Sequence, residues 1–351
     1  MSGPLRRRIG RLVRGLGAHR DALLLGLAAL ALAGTFLDPA WPMTRNELEF
    51  VAVFDITQSM NVPDEQQGGR SVTRLARAKS AMETALGALP CGSKAGWAIF
   101  TEYRSFLLIA PVEVCAHQRE LLGELHRLDG RMAWAGNSEV AKGLNSGLLI
   151  VHTLPGRPAL VFLTDGHEAP PVNPRYRPNF ALKRGEVRGL LVGVGGDTAR
   201  PIPRTDPSGL PLGEWAADQV LQVDPRSLGR GGSVAGEQMA EPEDLTVKPL
   251  PGASPGSEHL SSLREGYLQL LASEQGLLYR RLGSDRSLVA ALEDERLAQP
   301  RPSRLDLRPA FAALALIALL APAATAWRAA RRRRAAQPRA AAASRAMRPQ
   351  R

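Results

Sequence analysis

Three runs of consecutive apolar residues mark the middle of the chain: 50–54 (FVAVF), 159–163 (ALVFL) and 190–194 (LLVGV). Consecutive rather than alternating apolar positions predict strands buried on both faces, as in a parallel sheet. The first two runs end in an acid, Asp55 and Asp165. Between them, SKAGWAIF (93–100) and FLLIAPVEV (106–114) predict a hairpin turning near Tyr103. Helical spacing of apolar residues predicts helices over 72–89, around Leu121, Leu122, Leu125 and Leu128, and over 139–153, 259–275 and 287–298, with a short strand at 277–283. This order implies an α/β, doubly wound, mostly parallel sheet with one antiparallel edge strand and helices on both faces. Residues 197–257, rich in Pro and Gly and without period, read as a long surface excursion.

Outside this body the pattern changes. Residues 22–37 and 309–327 are apolar and free of charge, the second about long enough to span a bilayer and the first at the short end of the range. Arg residues flank their outer ends: Arg14 and Arg20 before the first, Arg328 and Arg331 to Arg334 after the second. The positive-inside rule then places the tails 1–21 and 328–351 in the cytoplasm and a 45–298 domain across the membrane. A cleavable signal peptide ending near Ala31-Leu32-Ala33 is the alternative for the first segment, and a buried core helix for the second.

Charge supports this division. The chain of 351 residues carries a formal +11, yet residues 1–20 and 328–351 alone hold six and nine Arg with no acid, leaving the rest at −4. An acidic body excludes a nucleic-acid-binding face. The two cysteines, Cys91 and Cys115, would meet an oxidising compartment if exported, and each lies twelve residues from the hairpin turn, so they are expected to pair. Two free buried thiols are the alternative.

The candidate chemistry lies just past the first strand. Asp55, Thr57 and Ser59 offer only hard oxygens, which suits Mg²⁺, with Ca²⁺ or Mn²⁺ as alternatives, rather than zinc. The pattern resembles the metal-ion-dependent adhesion site of von Willebrand factor type A (vWA) domains, Asp-x-Ser-x-Ser, with Thr57 in place of the first Ser. The resemblance implies a second-loop hydroxyl at Ser138 in GNSEVAKGL, where the family usually has Thr, and a third-loop ligand at Asp165 in TDG. Five such groups would leave one position for a partner's carboxylate. Each residue also has an ordinary role open to it: Ser138 as a helix N-cap, Asp165 as a turn residue, Thr57 and Ser59 as loop caps. His167 and Glu168 would border the site.

The stretches FDITQSMNV, CGSKAGWAIFTEYRSFLL, APVEVC, DGRMAWAGNSEVAKGL and FLTDGHEAPP are similar to a narrower group. These are the membrane-anchored vWA proteins encoded with bacterial methanol dehydrogenase and MoxR-type ATPases, closest to the MxaL-like and Bat-like accessory proteins. The resemblance implies a non-catalytic inner-membrane protein with a periplasmic vWA domain. It would assist maturation of a periplasmic enzyme, methanol dehydrogenase and its calcium ion being the implied client, through an acidic side chain of that client. Other vWA or accessory membrane proteins are further partners. The alternative is a Bat-type envelope scaffold or adhesion protein without such a client. No nucleophile elbow, Walker loop, HExxH or dinucleotide fingerprint appears, and Thr57 stands where a haloacid-dehalogenase-type phosphatase needs its second acid. The chain is therefore expected not to be an enzyme.

Overall fold

The computed structural model describes residues 20–133, 136–174, 177–206, 208–222, 250–251 and 256–346. The basic tail 1–19 and the centre of the excursion, 223–249, lie outside the described residues. In chain order the elements are α1 (Arg20–Leu37), β1 (Ala40–Glu47), β2 (Glu49–Asp55), β3 (Glu65–Gln67), β4 (Arg70–Val72), α2 (Arg74–Ala88), β5 (Lys94–Thr101), β6 (Arg104–Glu113), α3 (Gln118–Arg127) and α4 (Val140–Thr153). There follow β7 (Ala159–Thr164), β8 (Gly189–Gly193), β9 (Arg200–Pro201), β10 (Pro203–Thr205), β11 (Pro211–Glu214), β12 (Leu260–Ser261), α5 (Glu265–Gln275), β13 (Leu278–Arg281), α6 (Asp285–Leu292), β14 (Gln299–Asp306) and α7 (Arg308–Ala346). The chain divides into two compact units, one spanning Arg45–Arg301 and one made from the segments on either side.

In the flanking unit, α1 and the Arg308–Arg328 part of α7 are each long and apolar enough to cross a membrane. Only 11% of either window is buried, and Leu23, Leu30, Ile317 and Leu320 stand exposed. A soluble core helix hides such residues, so this exposure argues for membrane association and against the core-helix alternative.

The larger unit is built on a six-stranded sheet in the order β13-β8-β7-β2-β5-β6. All neighbours are parallel except β6, which returns antiparallel to β5 and forms one edge. β2 occupies an interior position, and the side chains of Phe50 to Phe54 are buried on alternating faces in two apolar cores. On one face the Trp97 ring meets Phe50 and Phe54 edge-on at 6.4 and 5.9 Å, and its indole N–H donates to the Leu121 carbonyl at 2.9 Å. Burying each such ring is worth about 1.5–3 kcal/mol, and the bonded N–H avoids the desolvation cost that an indole otherwise carries inward. On the other face α4 lies tight against the sheet because Gly143 has no side chain: a Cβ there would stand 2.1 Å from the Phe100 ring. Cys91 and Cys115 are joined as a disulfide, with Cα atoms 5.3 Å apart, at the end of the β5–β6 hairpin away from its turn.

Several boundaries differ from the sequence expectation. The helix expected over 72–89 starts at Arg74 because Thr73 caps it, its hydroxyl accepting from the Ala76 N–H at 3.2 Å, while 70–72 pair with 65–67 as a small hairpin. The helix expected over 259–275 is two elements. Leu260 and Ser261 pair with β9, and only Glu265–Gln275 coils. The last helix of this unit covers Asp285–Leu292 rather than 287–298. The excursion is also less featureless than its composition suggests, since its described part holds β9, the β10–β11 hairpin and a 3-10 turn at Ala217–Gln219.

Candidate metal centre

The carboxyl ends of β2 and β7 point the same way, because the two strands are parallel neighbours with Phe54 opposite Leu163. Asp55 and Asp165 therefore emerge side by side at the end of the sheet where ligands bind in open α/β folds. The loop that carries Ser138 is brought there by its backbone. Ser138 exchanges hydrogen bonds with Ala169, N–H to carbonyl at 2.8 and 2.7 Å, and the next N–H, of Glu139, donates to the Glu102 carbonyl at 2.6 Å. Gly166, at φ +76°, makes the turn that carries the chain away from Asp165, a conformation that glycine adopts without strain.

Asp55 is fully buried and, among the described residues, meets only neutral donors. Its Oδ1 accepts from the Thr57 N–H at 2.9 Å and the Thr57 hydroxyl at 2.7 Å, and its Oδ2 accepts from the Thr164 hydroxyl at 2.6 Å. The Thr57 and Ser59 hydroxyl oxygens are 3.3 Å apart. Burial, and next the charge of Asp165, push the Asp55 carboxyl above the ordinary carboxylate range against the pull of these hydrogen bonds.

Asp165 is equally buried but differently held. Its Oδ2 accepts from Arg74 Nη1 at 2.5 Å and from the Ser261 hydroxyl at 2.8 Å, and its Oδ1 accepts from the His167 N–H at 3.0 Å. Burial alone would raise this carboxyl, but the Arg74 charge, His167 and the hydrogen bonds outweigh it and hold Asp165 below the ordinary range. Arg74 itself is completely buried. It also binds Asp64 through Nε at 2.9 Å and Nη2 at 2.6 Å, and reaches the Ser261 carbonyl at 3.1 Å and the Ser59 carbonyl at 3.4 Å.

A cavity of about 230 Å³ opens in front of these groups. Thr57, Ser59 and Ser138 line it, together with His167 and, from the excursion, Trp215, whose indole N–H donates to the Gln58 side chain. The two acids stand behind the hydroxyls rather than on the cavity wall. Ser138 is not a helix cap: α4 starts beyond it, Glu139 holds the cap position, and among the described residues the Ser138 hydroxyl, 2% exposed, has no hydrogen-bond partner. Of the ordinary roles considered, only the turn role of Asp165 is filled, through the His167 N–H.

His167 lines the cavity with neither ring nitrogen hydrogen-bonded among the described residues, and burial lowers its pKa so that the ring is neutral. Ser138 and His167 thus share a cavity without the hydrogen bond that would activate a hydroxyl nucleophile. Glu168 turns away from the cavity, its Oε1 accepting from the Ala141 N–H at 2.9 Å and the Tyr267 hydroxyl at 2.8 Å.

No protein-family model matches the sequence, and no curated protein matches it. Among solved structures the chain is similar to an aerotolerance-related membrane protein from Bacteroides fragilis NCTC 9343, at 16% identity over 71% of this chain and 98% of that one, with a TM-score of 0.45. It is also similar to a von Willebrand factor type A protein from Catenulispora acidiphila, at 13% identity over 78% of this chain and 44% of that one, TM-score 0.37. A third is the manganese-loaded TRAP protein of Plasmodium vivax, at 12% identity over 76% and 82%, TM-score 0.37. These are likenesses of backbone outline.

Sequence reasoning missed Arg74, Asp64, Ser261 and Trp215. For Arg74 a signal existed: it lies on one helical stripe with Ala78, Ala81, Met82 and Ala85, all buried, and a charge on an apolar stripe needs a buried partner. Ser261 and Trp215 sit in the excursion or just after it, where no period announces which side chain turns inward.

Proposed function

We propose that the chain is a membrane-anchored, non-catalytic binding module of vWA type, in which a divalent cation holds an acidic group of a partner protein. The observation that carries this reading is the unpartnered Ser138 hydroxyl, buried beside Thr57 and Ser59 at one cavity. A buried polar atom without a partner costs about 1–3 kcal/mol, and an oxygen-seeking cation would recover it. The donor set fits such an ion: three neutral hydroxyls in front and two carboxylates behind supply only oxygen, as Mg²⁺, Mn²⁺ and Ca²⁺ prefer. Thr57, Ser59 and Ser138 would hold the cation, with Asp55 and Asp165 acting through them or through water. When bound, it would polarise and attract a carboxylate entering from the cavity.

The sequence resemblance directs the first search for that partner to periplasmic methanol dehydrogenase and its calcium loading, with the domain on the periplasmic side and both termini cytoplasmic. The test is capture of partners by the full chain from detergent-solubilised membranes, with mass identification, alongside Mn²⁺ binding read by electron paramagnetic resonance. Asp55→Ala is expected to lose both the ion and the partner. Retention of the same partners by Asp55→Ala would overturn the metal-bridged reading.

A further inference from the structure

The two acids of the centre are not equivalent, and the inequality comes from one residue. Arg74 places a permanent positive charge 2.5 Å from Asp165 Oδ2, and the same Nη1 lies 2.6 Å from the Ser261 hydroxyl. Asp165 is thereby held on both oxygens, with its charge met by the guanidinium: guanidinium and hydroxyl on one oxygen, a backbone N–H on the other. Asp64, 8% exposed and paired to the other side of the guanidinium, holds Arg74 in this position, and the Ser261 and Ser59 carbonyls complete the cradle. Among the described residues, by contrast, no cation contacts Asp55.

We propose that Arg74 is a positioning residue that withdraws Asp165 from the cation and so makes cation binding depend on an incoming carboxylate. The inference rests on the metal-site reading above and deepens it. Glu258 also lines the cavity but is paired with Arg264 at 3.5 Å, so a divalent ion facing Asp55 as its uncompensated carboxylate keeps about one unit of positive charge in a largely buried setting, where charge is costly to leave unmatched. An acid from outside supplies the missing charge. By linkage the ion then tightens the acid by the same factor as the acid tightens the ion. A site of this kind holds its ion loosely until the partner arrives.

The test is Mn²⁺ binding to the full chain in detergent, read by electron paramagnetic resonance, in chloride and in acetate at matched ionic strength. For the wild type, acetate is expected to tighten Mn²⁺ severalfold. Arg74→Gln is expected to bind Mn²⁺ roughly tenfold tighter in chloride, with little further gain from acetate. Asp64→Asn leaves Arg74 with Asp165 as its one acid and is expected to move the other way, to weaker Mn²⁺ binding and a larger acetate effect. Those opposite signs cannot come from simple damage to the fold, and Asp64→Asn carries the test alone should Arg74→Gln fail to fold. Asp55→Asn identifies the site. If it abolishes Mn²⁺ binding while Asp64→Asn leaves affinity and acetate response at wild-type values, the role of Arg74 is refuted and the metal site stands. If the wild type binds no Mn²⁺ in either salt, both readings fall together.

Discussion

β2 ends in Asp55 and its neighbour β7 is followed at once by Asp165, both fully buried, yet the two acids are held in opposite ways. At Asp55 every donor is neutral, so burying the charge is uncompensated and the carboxyl is pushed toward its protonated form. At Asp165 a buried guanidinium settles the charge and ties the loops after β2 and β7 to β12. Two acids at neighbouring strand ends of one sheet are thus held differently: the first meets neutral donors among the described residues, and the second is tied by Arg74 into the surrounding architecture.

The widest expected contrast is between their neutral variants. Asp165→Asn leaves Arg74 buried with half its pairing and is expected to lower stability by about 3–5 kcal/mol. Asp55→Asn removes an unfavourably buried charge and is expected to leave metal-free stability unchanged or raised, while abolishing Mn²⁺ binding. Chemical denaturation of both in chelator measures this, and equal losses would break the distinction drawn between the two acids.

A second contrast lies at the far end of the sheet. Breaking the Cys91–Cys115 bridge, which spans a sequence separation of 24, by Cys91→Ser with Cys115→Ser is expected to cost about 2–4 kcal/mol. Because the bridge sits away from the loops that carry Asp55 and Asp165, Mn²⁺ affinity should not change, and a parallel loss would show the two ends to be linked.

A third contrast uses Glu168, three residues after Asp165 and without its arginine. Burial raises the Glu168 carboxyl to about 8, against hydrogen bonds from Ala141 and Tyr267 that lower it. Because the folded form then binds its proton more tightly than the unfolded chain, stability falls as pH rises from the unfolded value near 4.5 through about 8. Glu168→Gln removes that slope. It is expected to match the wild type near pH 4 and to exceed it by a few kcal/mol above pH 8, as measured by denaturation across pH. A gap that opens toward acid instead would overturn the assignment.

The smallest expected effect on stability is at Ser138. Since its hydroxyl has no partner among the described residues, Ser138→Ala should leave metal-free stability unchanged or raise it, by no more than the roughly 1–3 kcal/mol that an unsatisfied buried hydroxyl costs. It should weaken Mn²⁺ measurably and leave the acetate response in place. A large loss of stability would mean that the hydroxyl is structural.

Most of the fold was legible because its signals are local. Consecutive apolar residues at 50–54 and 159–163 specify strands buried on both faces, and 22–37 and 309–327 stand apart from that body as uncharged apolar runs. Spacing also brought Asp55, Thr57 and Ser59 to one loop, and the resemblance added Ser138 and Asp165, all of which the structure gathers at one end of the sheet. Hidden from the sequence were the partners that reach the site across the fold. Arg74 lies 91 positions before Asp165, and Ser261 lies 96 after it. No periodicity records a contact of that kind, since it arises when α2 and β12 pack against the ends of β2 and β7. The sequence by itself determined that hard oxygens would collect at the carboxyl end of a parallel sheet. The tertiary structure alone decided which of the two carboxylates is paired with a cation, because that depends on where a distant guanidinium comes to rest.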